Sequence, residues 1–500
     1  MRGLLMVLAL SGCSLGRVSS ESCSTNDQCK SAFGWDAVCG DEGYCETLEM
    51  PQRCERTFPD DLWTNRRAYD DAIIFGSLYS LGYIEEVQAL ELPLRLMADS
   101  NATLNGMSFA MVECDLRDFD DDGLGNDQYT DRLFYTEANI AYAPWLVSEL
   151  GAKVILGPDG SDATSDAYNA ITSAGLEALF MAPASTSPSL TNLDGSPSED
   201  KPGYIWRTAP SDAYQGDAMA RYIFQELGIA NAGVIYSTGS YGEGLLAVFR
   251  ATLEELGGDA TSYSYDEGEV PPTEVVERAG RGGHGAVVFI GLPDSVPAFL
   301  DAAVGATEYT SGNLRVVLAD GGHSSSIYND DPDAYAALIP YIVGTSPTVI
   351  RDSTAFEGFE SEYGTAYEEL SPDAGSYPAY AFDASWLMIT AVTWSVLQEG
   401  EVTPTGVGRG MRNISAPLDV GQVDLNLTTT SWEENIRTAF SQGRAVNVTG
   451  ATGPLDYDET TGETSAPVEV WTIEDRGGEY GFVTQGVYDP LTGMLVPTAG

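Results

Sequence analysis

The sequence predicts an α/β protein built as two successive blocks, each with a parallel sheet of its own, behind a small disulfide-rich N-terminal segment. Short apolar runs alternate with segments of helical period from about residue 71 to residue 318, the pattern of βαβ units. Loops rich in Gly, Ser and Thr follow two of those runs, Gly157-Pro158-Asp159-Gly160-Ser161-Asp162-Ala163-Thr164 and Pro183-Ala184-Ser185-Thr186. At the carboxyl ends of buried strands, such loops are where open α/β sheets bind ligands. Five cysteines, Cys23, Cys29, Cys39, Cys45 and Cys54, crowd a stretch with little apolar content.

The chain of 500 residues is 43% hydrophobic, enough for a sizeable core and two or three domains. It carries 24 basic against 75 acidic residues, a net charge of −51. That field repels nucleic acid and anionic lipid surfaces, so neither is an expected partner. Lysine occurs only at Lys30, Lys153 and Lys201. The acid is spread along the chain and describes a surface, suited to a salty medium or simply to solubility.

At the N-terminus, Arg2 precedes an apolar stretch over residues 3–10, too short to span a bilayer. Leu10-Ser11-Gly12-Cys13 follows and resembles the lipobox of bacterial lipoproteins. The resemblance implies a signal peptide over residues 1–12 and a mature chain beginning at lipidated Cys13. Residues 13–69 then form a tether and the Cys-rich head. Export favours disulfides, and a small coreless segment needs them. Five cysteines leave one over, so Cys114 is the natural sixth, and Cys54–Cys114 is the expected pair tying head to body. A metal site is the rival reading, but no CxxC pair or nearby histidine supports it.

In the body, Ala72-Ile73-Ile74-Phe75-Gly76 reads as a buried strand, with a Gly/Ser/Tyr loop through Tyr83. Residues 85–98 have helical spacing with a break expected at Pro93. A strand follows over 107–112, then a helix over 135–150 with Ile140, Ala143, Leu146 and Leu150 facing inward. Lys153-Val154-Ile155-Leu156 and Leu179-Phe180-Met181-Ala182 are strands leading into the two polar loops. The second block repeats the alternation. It has helices over 217–227, 244–256 and 296–304, and strands over 232–236, 286–290 and 314–318. A crossing near residues 345–349 leads to helices over 355–370 and 380–397, and Val468-Glu469-Val470-Trp471-Thr472-Ile473 is β-like.

Taken together, several pieces resemble the type 1 periplasmic solute-binding proteins, in particular the leucine/isoleucine/valine-binding branch. The pieces are Gly157-Pro158 with Ser161 and Thr164, Pro183-Ala184-Ser185-Thr186, and Arg207-Thr208 with Pro210-Ser211-Asp212 and Gln215-Gly216. Tyr241-Gly242 with Gly244, Asp320-Gly321 and Phe382-Asp383-Ala384 complete the set. The resemblance covers residues 70–485. It implies two Rossmann-like lobes joined by crossing hinge strands and closing on a small ligand, often an amino acid. Lobe one would comprise residues 70–208 and 347–450, lobe two 209–346 and 451–485, with a tail over 486–500. By the resemblance, Ser161, the Ala184 backbone and Thr186 hold the ligand carboxylate from lobe one. Asp320 takes the ammonium, and Tyr241 closes from lobe two. Unpaired N–H groups at a helix start suit a carboxylate independently of any family. Asp159 and Asp162 depart from the pattern by placing negative charge in that loop. Leu292 stands near where amino-acid binders often have an aromatic.

Asp118-Phe119-Asp120-Asp121-Asp122-Gly123 resembles the start of a Ca²⁺ loop, but its twelfth position is Tyr129 instead of Glu, which favours a solvated acidic turn. The two histidines, His284 and His323, lie in Gly-rich loops, and there is no Gly-x-Ser-x-Gly elbow or His-Glu-x-x-His helix. The expectation is therefore a binding protein with no catalytic residues, metal or cofactor. It would be anchored in the cell envelope and feed an inner-membrane ABC permease. The alternative is an envelope sensor or scaffold of the same fold. Ser14 after the lipidated Cys implies the outer membrane, which favours that alternative.

Overall fold

A computed structural model describes residues 22–117, 129, 131–195, 197–198, 200–324, 327, 334–371, 375–414, 424–458, 460–464, 466–475, 480–489 and 492–497. Cys13 and the acidic loop from Asp118 to Gly123 lie outside these residues.

The head is a helix, Asn26–Phe33, and a hairpin of β1 (Ala37–Cys39) and β2 (Cys45–Thr47), closed by Cys23–Cys39 and Cys29–Cys45 disulfides. It docks on the carboxyl end of helix Tyr135–Ser148. Asn26 Nδ2 donates to Ser148 O at 2.8 Å, and Lys30 Nζ donates to the carbonyls of Glu149 and Leu150. A cation there meets the unpaired carbonyls and negative dipole of a helix end. A third disulfide, Cys54–Cys114, joins the end of the head to the first sheet.

The first sheet holds β3 (Arg56–Phe58), β4 (Ile73–Tyr79), β5 (Phe109–Asp115), β6 (Val154–Leu156), β7 (Leu179–Ala182) and β8 (Ile205–Arg207), in the order β3-β5-β4-β6-β7-β8. Only β3 runs antiparallel. The second holds β9 (Asn231–Ser237), β10 (Asp259–Tyr265), β11 (Ala286–Ile290), β12 (Arg315–Leu318) and β13 (Ile342–Pro347), parallel in the order β10-β9-β11-β12-β13. Antiparallel strands Val468–Asp475, Tyr480–Asp489 and Met494–Pro497 extend it. The parallel strands of both lobes thus follow the doubly-wound order 2-1-3-4-5, whose crevice opens where the order reverses, at β4/β6 and at β9/β11. Each sheet is covered on both faces, and the four large apolar clusters divide two to a lobe. Full burial explains why the strands read as continuous apolar runs.

The chain crosses between lobes three times: after β8, after β13, and over residues 451–467. Thr348 N donates to Pro467 O at 3.0 Å and Tyr457 OH to Arg207 O at 3.1 Å, so the crossings hold one another. Helix Tyr377–Glu399 returns through the middle of lobe one and is buried nearly all round.

Several sequence expectations need correction. Helix Ile84–Asp99 runs through Pro93 unbroken, because Leu92, Pro93 and Leu94 are all buried and their packing offsets one lost backbone bond. Ala143, Leu146 and Leu150 face inward as expected, but Ile140 is 46% exposed, and Ala138 takes its place on the buried stripe. β4 continues through Tyr79, into the stretch expected to be loop. Residues 486–489 and 494–497, expected in a tail, pair as strands. Strand β10 reads poorly as a strand because Asp259, Thr261, Ser262 and Ser264, polar and exposed, fall on both of its faces.

Candidate functional site

The loops at the carboxyl ends of both sheets face each other across the two switch points. In lobe one, Gly157 has φ +96°, and a Cβ there would fall 2.4 Å from Leu78 O. Only glycine lets the chain turn this close to β4. The turn delivers Ser161 to the start of helix Ser161–Ser173. Its Oγ accepts from Ser187 N at 3.0 Å, and Thr164 Oγ1 meets Ser185 Oγ at 2.8 Å, so the two polar loops brace each other. Arg207, buried at the end of β8, clamps the second loop. It donates to Ser185 O at 3.2 Å, Ser187 O at 2.7 Å and Thr191 Oγ1 at 3.2 Å, and pairs with Glu463 of the third crossing.

Asp320 follows β12 in lobe two and is 8% exposed. Its Oδ1 accepts from Tyr241 OH at 2.5 Å and Gln215 Nε2 at 3.2 Å, and its Oδ2 from Tyr377 OH at 2.5 Å. Asp212 lies close by at the first crossing. Its N–H donates to Thr186 O and its Oδ2 accepts from Thr186 Oγ1, both at 2.8 Å. Burial first, and then the charge of Asp320, push the Asp212 carboxyl well above the usual range; Thr186 and Arg207 oppose them. Among the described residues, Asp212 Oδ1 and Gln215 Oε1 are buried and have no hydrogen-bond partner.

The remainder of the cleft is also acidic. Burial pushes Asp159 up to about 6, against hydrogen bonds from Tyr135 OH and Ser80 N. Burial likewise pushes Glu86 up to about 8, with Tyr79 OH donating to it. The lobes touch: Asp162 accepts from the Ser240 and Tyr241 N–H groups, and Ser187 Oγ donates to Ser240 O at 2.6 Å.

Of the five residues predicted from sequence, Tyr241 and Asp320 bond directly, and Thr186 reaches Asp320's neighbourhood through Asp212. Ser161 and half-buried Ala184 belong to the same braced loops, with Ser161 Oγ engaged by Ser187. Asp159 turns to Ser80 and Tyr135, and Asp162 reaches across to lobe two. His323 stacks on Phe482 at 4.0 Å and against Trp471 at 5.3 Å, and burial lowers it to about 4, so it packs the hinge as a neutral ring. Leu292 is 43% exposed at the end of β11. Sequence reasoning assigned no role to Asp212, Gln215 or Tyr377. Asp212 and Gln215 stand three apart on one helix face, a signal that was available. Tyr377 lies 57 residues from Asp320 and offered none.

A family model described as Periplasmic binding protein matches residues 135–478. Among solved structures, a leucine-binding protein from Thermotoga maritima is similar at 14% identity, TM-score 0.60, covering 85% of this chain and 99% of its own. A branched-chain amino acid transporter substrate-binding protein from Streptococcus pneumoniae, in complex with isoleucine, gives 16%, 0.55, 83% and 99%. An ABC-transporter solute-binding protein from R. palustris, in complex with 4-hydroxybenzoate, gives 14%, 0.59, 82% and 95%. At these identities the likeness is one of fold. A search of curated proteins finds no match.

Proposed function

Because this chain belongs to the periplasmic binding protein family, we propose that it closes its two lobes on a small amine-bearing ligand, an amino acid or a related compound, for ABC-type uptake. One observation carries the choice of ligand: among the described residues, buried Asp212 Oδ1 and Gln215 Oε1 have no donor, beside an Asp320 that accepts three hydrogen bonds. A carboxylate has about four acceptor sites. Buried acceptors left unmade are costly, and a protonated amine brings three donors and the matching charge. Ser161 and the Ala184 backbone would then face the other end of the ligand, while Thr186 holds Asp212 at the amine end.

The similar proteins from Thermotoga and Streptococcus are named for leucine and branched-chain amino acids, and the one from R. palustris holds a benzoate. Asp162 and, above about pH 6, Asp159 would repel a lone aromatic acid and tolerate a ligand of net zero or positive charge. The acids are held by tyrosines and no histidine joins them, so the reading is of binding without catalysis. Lipid anchoring at Cys13 is part of the proposal and places the protein outside the cytoplasmic membrane. A thermal-shift screen at high salt against amino acids, amides, polyamines, sugars and aromatic acids tests the ligand class. An amine at one hundred times its dissociation constant stabilises the fold by about 2.7 kcal/mol. Stabilisation by sugars or benzoates alone would overturn the choice of ligand.

A further inference from the structure

Helix Ser240–Glu255 of lobe two starts without a side-chain cap from its own lobe, since Gly239 precedes it at φ +108°. Asp162 of lobe one supplies the cap across the cleft, one oxygen accepting from Ser240 N and the other from Tyr241 N at 3.2 Å. Asp162 also sits in the first turn of its own helix, so one carboxylate serves two helix N-termini, one from each lobe. Glu267 of lobe two hydrogen-bonds to the same carboxylate. A Cβ at Gly239 would fall 2.6 Å from Glu267 Oε2 and 2.9 Å from Asp162 Oδ1, so the two carboxyl groups converge over that glycine.

We propose that Asp162 and Glu267 form a proton-dependent latch that holds the lobes closed and sets Tyr241 against Asp320. The latch rests on the lobe closure of the function proposed above but on no ligand. Two ionised carboxylates this close repel; a shared proton turns the contact into a hydrogen bond. Asp162 already accepts from two N–H groups, so the proton sits on Glu267. Burial, then the hydrogen bond and charge of Asp162, then the charge of Asp166, push Glu267 up to about 8. Part of Glu267 stays in solvent even with the lobes together. Tyr135 faces Glu267 from helix Tyr135–Ser148, Thr238 Oγ1 accepts from its backbone N–H, and acidic Asp266 precedes it; no basic group acts on it among the described residues. With the lobes apart, Glu267 returns to solvent and to the ordinary carboxylate range. Between that range and about 8 the closed form therefore holds a proton that the open form releases. Closure strengthens as pH falls from about 8 and gains nothing further below the ordinary range.

Spin labels at exposed Asp99 and Glu274, one in each lobe, would report the interlobe distance in the full chain from pH 5 to pH 9, in EDTA and without ligand. The closed-to-open ratio should fall by up to about tenfold per pH unit as Glu267 ionises. Glu267→Gln keeps a donor for Asp162 that cannot ionise, and should stay closed at every pH. Asp162→Ala should open at every pH, with thermal melts reporting that both variants fold. A wild-type distance that ignores pH, whether open or closed, or a Glu267→Gln variant that titrates like wild type, overturns the latch. Neither result touches the ligand proposal, which the amine screen decides separately.

Discussion

The hydroxyl of Tyr377, in the first turn of the long central helix of lobe one, donates to Oδ2 of Asp320 in lobe two at 2.5 Å. One acid thus receives a donor from each lobe, Tyr241 from its own and Tyr377 from the other, so its environment is complete only when the lobes meet. Tyr377→Phe removes a hydrogen bond to a charged group, worth about 1.5–3 kcal/mol. Titration calorimetry should find affinity about tenfold to a hundredfold weaker. An unchanged affinity would place Tyr377 outside the site.

Arg207 holds both the loop at Ser185 and Ser187 and the third crossing at Glu463. Arg207→Met leaves Glu463 and several carbonyls without their donor. The expected loss is about 3–5 kcal/mol of unfolding free energy, read from urea denaturation. A loss below about 1 kcal/mol would mean that water replaces the guanidinium.

Glu86 and Asp159 are pushed up to about 8 and about 6, chiefly by burial. The folded state then binds more protons than the unfolded one above the ordinary carboxylate range. Stability accordingly falls as pH rises, and levels off above about 8. The melting temperature should be higher at pH 6 than at pH 8.5, and Glu86→Gln should flatten that fall. Parallel pH profiles for the two proteins would count against Glu86 as a source.

The disulfide Cys54–Cys114 closes a separation of 60 residues. Chain-entropy reasoning assigns such a loop about 4 kcal/mol. The double variant Cys54→Ser/Cys114→Ser should lose about 2–5 kcal/mol of stability while retaining ligand affinity, because the bond lies in the first sheet beneath the head. Lost affinity at an unchanged melting temperature would tie the head to the cleft.

Much of this fold was readable because fully buried parallel strands announce themselves as apolar runs, as at Leu179–Ala182 and Ala286–Ile290. Strand Asp259–Tyr265 was not, because it lies at a sheet edge with polar, exposed residues on both of its faces. The polar loops were legible as Gly/Ser/Thr-rich turns after apolar runs, and Asp320 only through the resemblance to the family. Tyr377 and the reach of Asp162 to Ser240 were not, since both contacts depend on how two lobes meet, which local sequence does not encode. Pro93 shows the same limit from the other side: its neighbours' burial overrides a strong local helix breaker.

Titration of a matched pair, an amine found by thermal shift and its N-acetyl derivative, into wild type and Asp320→Asn asks whether Asp320 receives an ammonium. Wild type should bind the amine at least about a hundredfold more tightly than the acetylated form, and Asp320→Asn should lose most of that preference. Equal binding of both compounds, or a preference that survives in Asp320→Asn, would contradict an ammonium at Asp320.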